Sequence, residues 1–444
     1  MRFSLANSLG LALAVFAVVG CGSSSPAAGS APDAGGDDGG TDASTLSPNG
    51  DPPGCTSGAM GGTSPPARSD HAGALDPAGA NFVVFGGDTV APACPNPTGA
   101  HSFQKDTWVL DVGCHAWTQA QPSVSPKERA RHMMVTDPAG GSGGGRAILF
   151  GGRTRAGATG NYTLFNDAWG FDFASQQWTQ VATTGTAPAP RSNTAGVLDV
   201  QGNQLVVFGG NTDATGFAFS PVDDTWALDL STGAWRALAT KGKKPPARLF
   251  HAMAIDNAAR VAYVYSGGDA NAFMGPFLHD VWALDLASET WSQVQTSGDP
   301  TVGFIKHSLV FDATSKRLFT FGGHDDGVVG NENTIWVLDL GASPAKWSQL
   351  PHGDAQGKPA TGQCTFPPDF TKIDLQSPER RSGFAYGARA DGRGFVIFAG
   401  EGDCGFVDDA WWWADGSEGW TPIVQVPAGL SCLRVKTMCS GLCG

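Results

Sequence analysis

Asp224-Thr225-Trp226-Ala227-Leu228-Asp229, followed by Trp235 nine residues after Trp226, is the stretch that decides the fold. Five further copies align with it, centred on Trp108 and Trp117, Trp169 and Trp178, Trp282 and Trp291, Trp336 and Trp347, and Trp411 and Trp420. The spacing is nine residues in every pair but the fifth, where it is eleven, and the six pairs hold twelve of the 14 tryptophans. Indole buries more surface than any other side chain, so a pair recurring at constant spacing specifies one packing unit built six times.

Outward from the tryptophans, each unit opens on two marked positions three residues apart: Arg68 with His71, Arg129 with His132, Arg191 with Thr194, Arg248 with His251, Phe304 with His307, and Arg381 with Phe384. Short apolar segments follow, such as Met133 to Val135. Asp76, Asp137, Asp199, Asp256 or Asp312 then comes five residues after the second mark, with Arg389 in the sixth unit. Asp76-Pro77-Ala78-Gly79 and Asp137-Pro138-Ala139-Gly140 carry the residues a type I turn prefers, so a first strand ends there.

Continuous apolar runs come next, each ending at a small pair. They are Phe82 to Phe85 before Gly86-Gly87, Ile148 to Phe150 before Gly151-Gly152, and Leu205 to Phe208 before Gly209-Gly210. The later ones are Tyr263 to Ser266 before Gly267-Gly268, Leu318 to Phe321 before Gly322-Gly323, and Phe395 to Phe398 before Ala399-Gly400. A run that does not alternate is covered on both faces, so these are second strands between neighbouring sheets. The Asp-x-Trp-x-Leu-Asp strand is third, and the second tryptophan opens a fourth. Six four-stranded antiparallel units with almost no helical periodicity fit an all-β ring, a six-bladed propeller, which hides both faces of every sheet and leaves only short edges.

This pattern of Arg-led strand, apolar strand ending Gly-Gly, aromatic strand and later Trp resembles the Kelch repeat, over about residues 65 to 425. Departures are Ala399 for a glycine, Ala414 for the last Asp of the sixth unit, and Phe304 for Arg in the fifth. The implied architecture is a Kelch-type β-propeller over residues 51–425, with all four strands of a blade contiguous in sequence.

The ends read differently. One positive residue, Arg2, precedes an apolar run from Leu9 to Val19, too short to span a bilayer and shaped like a secretory signal. Val18-Val19-Gly20-Cys21 resembles a bacterial lipobox, which implies removal of residues 1–20 and lipidation of Cys21. Residues 21–50 are Gly, Ser, Ala, Pro and Asp with almost nothing large and apolar, and read as a tether with a reach of roughly 30 Å. The expectation is an exported monomer anchored in the cell envelope, with the outer membrane as its place. Residues 426–444 form a Cys-rich tail. Without the signal the chain has 27 basic and 41 acidic side chains, a balance of −14, which argues against nucleic acid as a partner. Eight cysteines besides Cys21 point to disulfides in an exported chain. Cys364 and Cys404 fall on one face near one blade and are the expected pair. The Cys432–Cys443 region is a candidate partner for the region of Cys55, which the reading places on the same side as Cys94 and opposite Cys114.

In an up-and-down meander, the marked positions, the small pairs and the loops after them share one face. Loop lengths there vary: residues 88 to 105 in the first unit, 401 to 408 in the last, and a long insertion at about 348–380. Variable loops on a rigid ring are where specificity is placed. By resemblance, arginines at this Kelch position grip acidic ligands, so Arg68, Arg129, Arg191, Arg248 and Arg381, with His71, His132, His251 and His307, are the candidate ligand contacts. Kelch repeats also keep Arg and His here to bond backbone and neighbouring blades, a structural role weighed ahead of ligand contact, and both readings stay open. The histidines lie on different repeats without close paired spacing, so no metal site is read, and no cofactor is implied. Asp106, Asp167, Asp224, Asp280 and Asp409 recur too regularly for catalysis, and no two loop carboxylates are marked as an acid–base pair.

The preferred function is a binding or interaction protein whose ligand is a glycan, a small carboxylated molecule or a protein. The alternative is a carbohydrate-active enzyme of the Kelch propeller type, resembling sialic acid mutarotase or galactose oxidase. The second of these needs tyrosine ligands for copper, and of the four tyrosines Tyr263 and Tyr265 fall in a buried strand. A purely structural surface protein is the third reading.

Overall fold

The computed structural model describes residues 47, 49–56, 58, 61–90, 101–216, 218–271, 274–300, 303–325, 330–357, 371–372, 374–403, 405–417 and 419–425. The signal segment with Cys21, most of the tether, Cys94, the Cys364 and Cys404 pair and the tail at 426–444 lie outside these residues. What is described is a six-bladed β-propeller with four antiparallel strands per blade in sequence order; in blades four and five a two-residue strand, Lys241–Gly242 or Thr296–Ser297, adds in parallel to the outermost strand. Blade one is Ala72–Leu75, Asn81–Phe85, Thr107–Asp111 and Ala116–Ala120. Blade two is Met133–Asp137, Arg146–Phe150, Ala168–Asp172 and Gln177–Gln180. Blade three is Ala195–Asp199, Gln204–Phe208, Thr225–Asp229 and Trp235–Ala237. Blade four is Ala252–Asp256, Val261–Tyr265, Val281–Asp285 and Thr290–Val294. Blade five is Val310–Asp312, Arg317–Phe321, Ile335–Asp339 and Ala345–Gln349. Blade six is Ala385–Ala388, Gly394–Gly402, Gly405–Ala414 and Thr421–Val424.

The repeated residues now have physical roles. Arg68 donates to both oxygens of Asp106, at 2.7 and 2.8 Å, and to the Gly86 carbonyl at 2.9 Å. The Trp108 indole N–H donates to the same carboxylate at 2.7 Å. One Asp therefore ties the first strand's entry to the third strand, and explains why Asp, Trp and Arg recur together. The clasp repeats as Arg129 with Asp167, Arg191 with Asp224, Arg248 with Asp280 and Arg381 with Asp409. Blade five lacks it, with Phe304 buried in the arginine's place.

The second tryptophan of each blade packs on the last aromatic of the preceding blade's second strand: Trp178 on Phe85, Trp235 on Phe150, Trp291 on Phe208, Trp347 on Tyr265, and Trp420 on Phe321. Trp117 on Phe398, with centroids 4.6 Å apart, completes the circle between blades six and one. This is why the second strands read as continuous apolar runs.

Two rings of backbone hydrogen bonds also close. The amide of the second small residue donates to the carbonyl of the next blade's arginine position. Gly87 to Arg129, Gly152 to Arg191, Gly210 to Arg248, Gly267 to Phe304, Gly323 to Arg381 and Gly400 to Arg68 all measure 2.9 to 3.0 Å. Here the sequence reading of blade four needs correction by one residue. Ser266 and Gly267 fill the slot, not Gly267-Gly268, because Arg248 bonds the Ser266 carbonyl and the Gly267 amide joins the ring. Ser266 accepts a φ of +57° there, and Ala399 takes +56° in blade six. The Ser266 hydroxyl bonds the Phe304 amide at 2.7 Å, adding a tether at the blade without an arginine.

The Cys55 expectation is also corrected. Cys55 is disulfide-bonded to Cys114 in the turn between the third and fourth strands of blade one, on the short-turn face. The segment leading to it crosses blade six: Arg389 donates to the Ser47 and Asp51 carbonyls, and Trp412 Nε1 to Gly50 O at 3.0 Å.

Candidate functional site

Between each pair of marked positions lies one residue whose side chain the sequence reading passed over: Asp70, Arg131, Asn193, Phe250, Lys306 and Gly383. All six have φ between +56° and +62°. That conformation turns each amide toward the preceding blade, and the six form a closed hydrogen-bonded ring. Arg131 donates to Asp70, Asn193 to Arg131, Phe250 to Asn193, Lys306 to Phe250, Gly383 to Lys306 and Asp70 to Gly383, at 2.7 to 3.1 Å. The ring forms the mouth of an axial channel of ≈ 340 Å³ between the six first strands. Below the mouth the lining mixes small apolar residues, Ala74, Val135, Val197, Ala254 and Gly387 among them, with the polar Thr136, Asn257 and Arg389.

The mouth carries charge. The Asp70 carboxylate accepts Arg131 Nε at 2.7 Å and Lys306 Nζ at 3.0 Å, joining blades two and five across blade one. Burial by itself raises the Asp70 carboxyl, but Arg131 and Lys306 outweigh it and hold the group well below the usual carboxylate range. Phe250 lies against both cations, 5.1 Å from the Arg131 guanidinium and 5.6 Å from Lys306 Nζ. Lys306 also approaches Glu401 at 3.7 Å.

Arg153, next to the small pair of blade two, is the residue that stands out. It is 6% exposed, its Nε lacks a hydrogen-bond partner, and its guanidinium lies 3.9 Å over the Tyr162 ring. Among the described residues no carboxylate forms an ion pair with it. Burial and then the nearby Arg131 push it down to about 9. Asp70 attracts it without pairing with it, and a buried cation with no directly paired carboxylate is costly, a cost that an anionic ligand would lower.

The residues singled out from the sequence occupy other ground. Arg68, Arg129, Arg191, Arg248 and Arg381 are completely buried, and their guanidiniums are occupied by the clasp and by backbone carbonyls. They are brought to the ring one per blade, behind the mouth, and present no free donor face to it. His71, His132, His251 and His307 are 5 to 6% exposed and wedge between blades, edge-on to Phe398, Phe85, Phe208 and Tyr265 at 5.3 to 5.6 Å. Burial holds all four neutral, pushing His132 and His307 down to about 3. The aspartates opening the third strands serve the clasps. Of the irregular loop carboxylates, Asp403 pairs with Arg380, and Asp325 and Glu332 are buried, while Asp326 is outside the described residues.

Six radial sheets, each clasped by Arg and Asp where the repeat supplies both, define a Kelch-type propeller. The model of the KLHDC2/KLHL20/DRC7 Kelch-repeats domain matches residues 55–267 and 198–367, and the chain belongs to this Kelch-repeat family. Adagio protein 3 of Arabidopsis thaliana is 29% identical over 314 residues, 68% of this chain and 45% of that protein. Kelch domain-containing protein 10 of Homo sapiens is 29% identical over 253 residues, 54% of this chain and 52% of that protein. The chain thus spans about half the length of these curated relatives. The solved structure of YjhT matches with a TM-score of 0.55 at 13% identity, over 81% of this chain and 98% of that one, a likeness of fold.

Proposed function

We propose that this protein is a binding module of the cell envelope, anchored through a lipidated Cys21, whose loop-rich face takes a small carboxylate-bearing molecule or an acidic glycan. The observation that carries the reading is Arg153, a buried guanidinium paired with no carboxylate among the described residues, beside a mouth that also holds Arg131 and Lys306. A carboxylate entering there exchanges water for charge-assisted hydrogen bonds in a half-buried setting, where such bonds are strong. The net charge of the whole chain, −13, sharpens the contrast between body and mouth, which favours a compact anion over an extended polyanion.

The test is a thermal-shift and calorimetric panel of sialic acids, uronic acids and their neutral parent sugars on the full chain without its signal. Acidic sugars should raise the unfolding temperature and neutral ones should not, and Arg153→Gln should weaken binding at least about tenfold, the loss of one charge-assisted contact. Equal response to acidic and neutral sugars, or an unchanged Arg153→Gln, sinks the reading. The anchor is checked separately by fractionation: Cys21→Ala should move the protein from membrane to soluble fraction.

A further inference from the structure

We propose that Asp88, His101 and Tyr162 form a proton-transfer line that makes the Tyr162 phenol a general acid–base group on the loop-rich face. The three come from loops that follow the small pairs of blades one and two. Asp88 Oδ1 is occupied by the backbone amides of Val90, at 3.1 Å, and Ser102, at 2.8 Å. Its Oδ2 lies 2.5 Å from His101 Nδ1, and His101 Nε2 lies 2.8 Å from the Tyr162 hydroxyl. A carboxylate only accepts, so the hydrogen-bond network assigns the imidazole proton to Nδ1 and leaves Nε2 as acceptor for the phenol proton. Phe103 stacks on the imidazole with centroids 5.0 Å apart.

Tyr162 is fixed in place from blade three. Its amide donates to Ala214 O at 2.7 Å, and a Cβ on Gly216, where φ is +78°, would come within 2.5 Å of its ring. Arg153 and Arg155 stand over that ring at 3.9 and 4.4 Å. When the phenol proton passes to Nε2, Asp88 faces the new imidazolium and the two guanidiniums lie over the ring of the new phenolate. Both charges formed in the step therefore meet opposite charge already in position. The phenolate can then take a proton from an O–H or C–H acid and later return it. The substrate class is an anion held by Arg153 that carries such a hydrogen. This last point rests on the anion-binding reading above; the proton line itself does not.

A neutral probe separates the two. With p-nitrophenyl acetate at pH 7.5, the Tyr162 oxygen bonds the acetyl carbon, the ester C–O bond breaks to release p-nitrophenolate, and the phenol proton goes to His101 Nε2. The expected result is a burst of p-nitrophenolate and an acetyl mass on the peptide containing Tyr162, ahead of the peptides with Tyr263, Tyr265 and Tyr386. Tyr162→Phe should remove the mark. His101→Phe should slow it about a hundredfold and Asp88→Asn about tenfold, the scale of a lost base and of a lost orienting group. His101→Gln keeps a hydrogen-bonding group but no proton acceptor, and should be as slow as His101→Phe with far-UV ellipticity unchanged. Acetylation of Tyr162 no faster than of Tyr386, or unaltered in both His101 variants, overturns the proposal. Labelling that persists while the acidic-sugar shift fails overturns the anion reading and leaves the proton line supported.

Discussion

His71, His132, His251 and His307 show how one residue type at one repeat position serves packing. Each fills the gap between its blade and the aromatic of the blade before. Burial depresses the folded-state pKa of all four, so the unfolded chain binds more protons than the native one below about pH 6.5, and for His132 and His307 that window reaches down to about pH 3. Stability from these groups is whole above about pH 6.5 and is lost as the pH falls through that window, by roughly 1.4 kcal/mol per unit for each histidine. The clasp carboxylates, whose pKa values are lowered, add an acid loss only below about pH 4. Denaturant unfolding should therefore weaken between pH 6.5 and 4.5, and His132→Phe should flatten that slope by about one histidine's share. A slope unchanged in the variant would show that this imidazole titrates normally in the folded protein. Arginine was legible as a recurring position, but whether its guanidinium faced a ligand or an aspartate was not. That depends on the distance to Asp106 or Asp224, some 30 to 40 residues on in the chain.

At the level of the blade, the Arg–Asp clasp joins the entry of the first strand to the start of the third. Breaking it strands a carboxylate in proportion to that carboxylate's burial. Asp409 is 7% exposed and Asp224 is 39% exposed, while both arginines are fully buried. Arg381→Ala should cost about 3–5 kcal/mol, the penalty for leaving a buried charge unpaired, and Arg191→Ala distinctly less. Equal losses in urea unfolding would mean that solvent access to the aspartate does not set the cost. The strands themselves were readable because a second strand covered on both faces is apolar throughout, as in Leu205 to Phe208. The slot at Ser266 was misread because Gly267-Gly268 imitates the glycine pair. Only the carbonyl that Arg248 bonds and the amide that meets Phe304 identify it.

At the scale of the ring, closure uses no exchanged strand among the described residues. Blades six and one meet through the Gly400 and Asp70 amides, the Trp117 and Phe398 rings, and a strap from Ser47 to Cys55 that Arg389 and Cys114 hold at its two ends. Residues 61–63 also run beside the outer strand of blade one, where a Cβ on Gly62 would come within 2.7 Å of Trp117 O, as the linkers at Gly185, Gly242 and Gly298 do on their blades. The Cys55–Cys114 bridge spans 59 residues, a loop whose closure stabilises by about 4 kcal/mol in the chain-entropy model. Cys55→Ser should lower stability by up to that amount and speed hydrogen exchange at Gly400 and Asp70 more than at Gly152 and Gly210. Uniform exchange around the ring would show that the strap does not guard this junction.

By itself the sequence determined the repeat, the strand order and the number of blades, because tryptophan pairs, Asp turns and apolar runs are local and periodic. Only the tertiary structure decided the site. Asp70, Arg131, Asn193, Phe250, Lys306 and Gly383 share no chemistry, so nothing in the chain marks them as equivalent. They meet because each adopts the same left-handed backbone angle at the axis of a closed ring. Arg153 likewise reads as one loop cation among many until folding buries it against Tyr162, where no carboxylate among the described residues pairs with it.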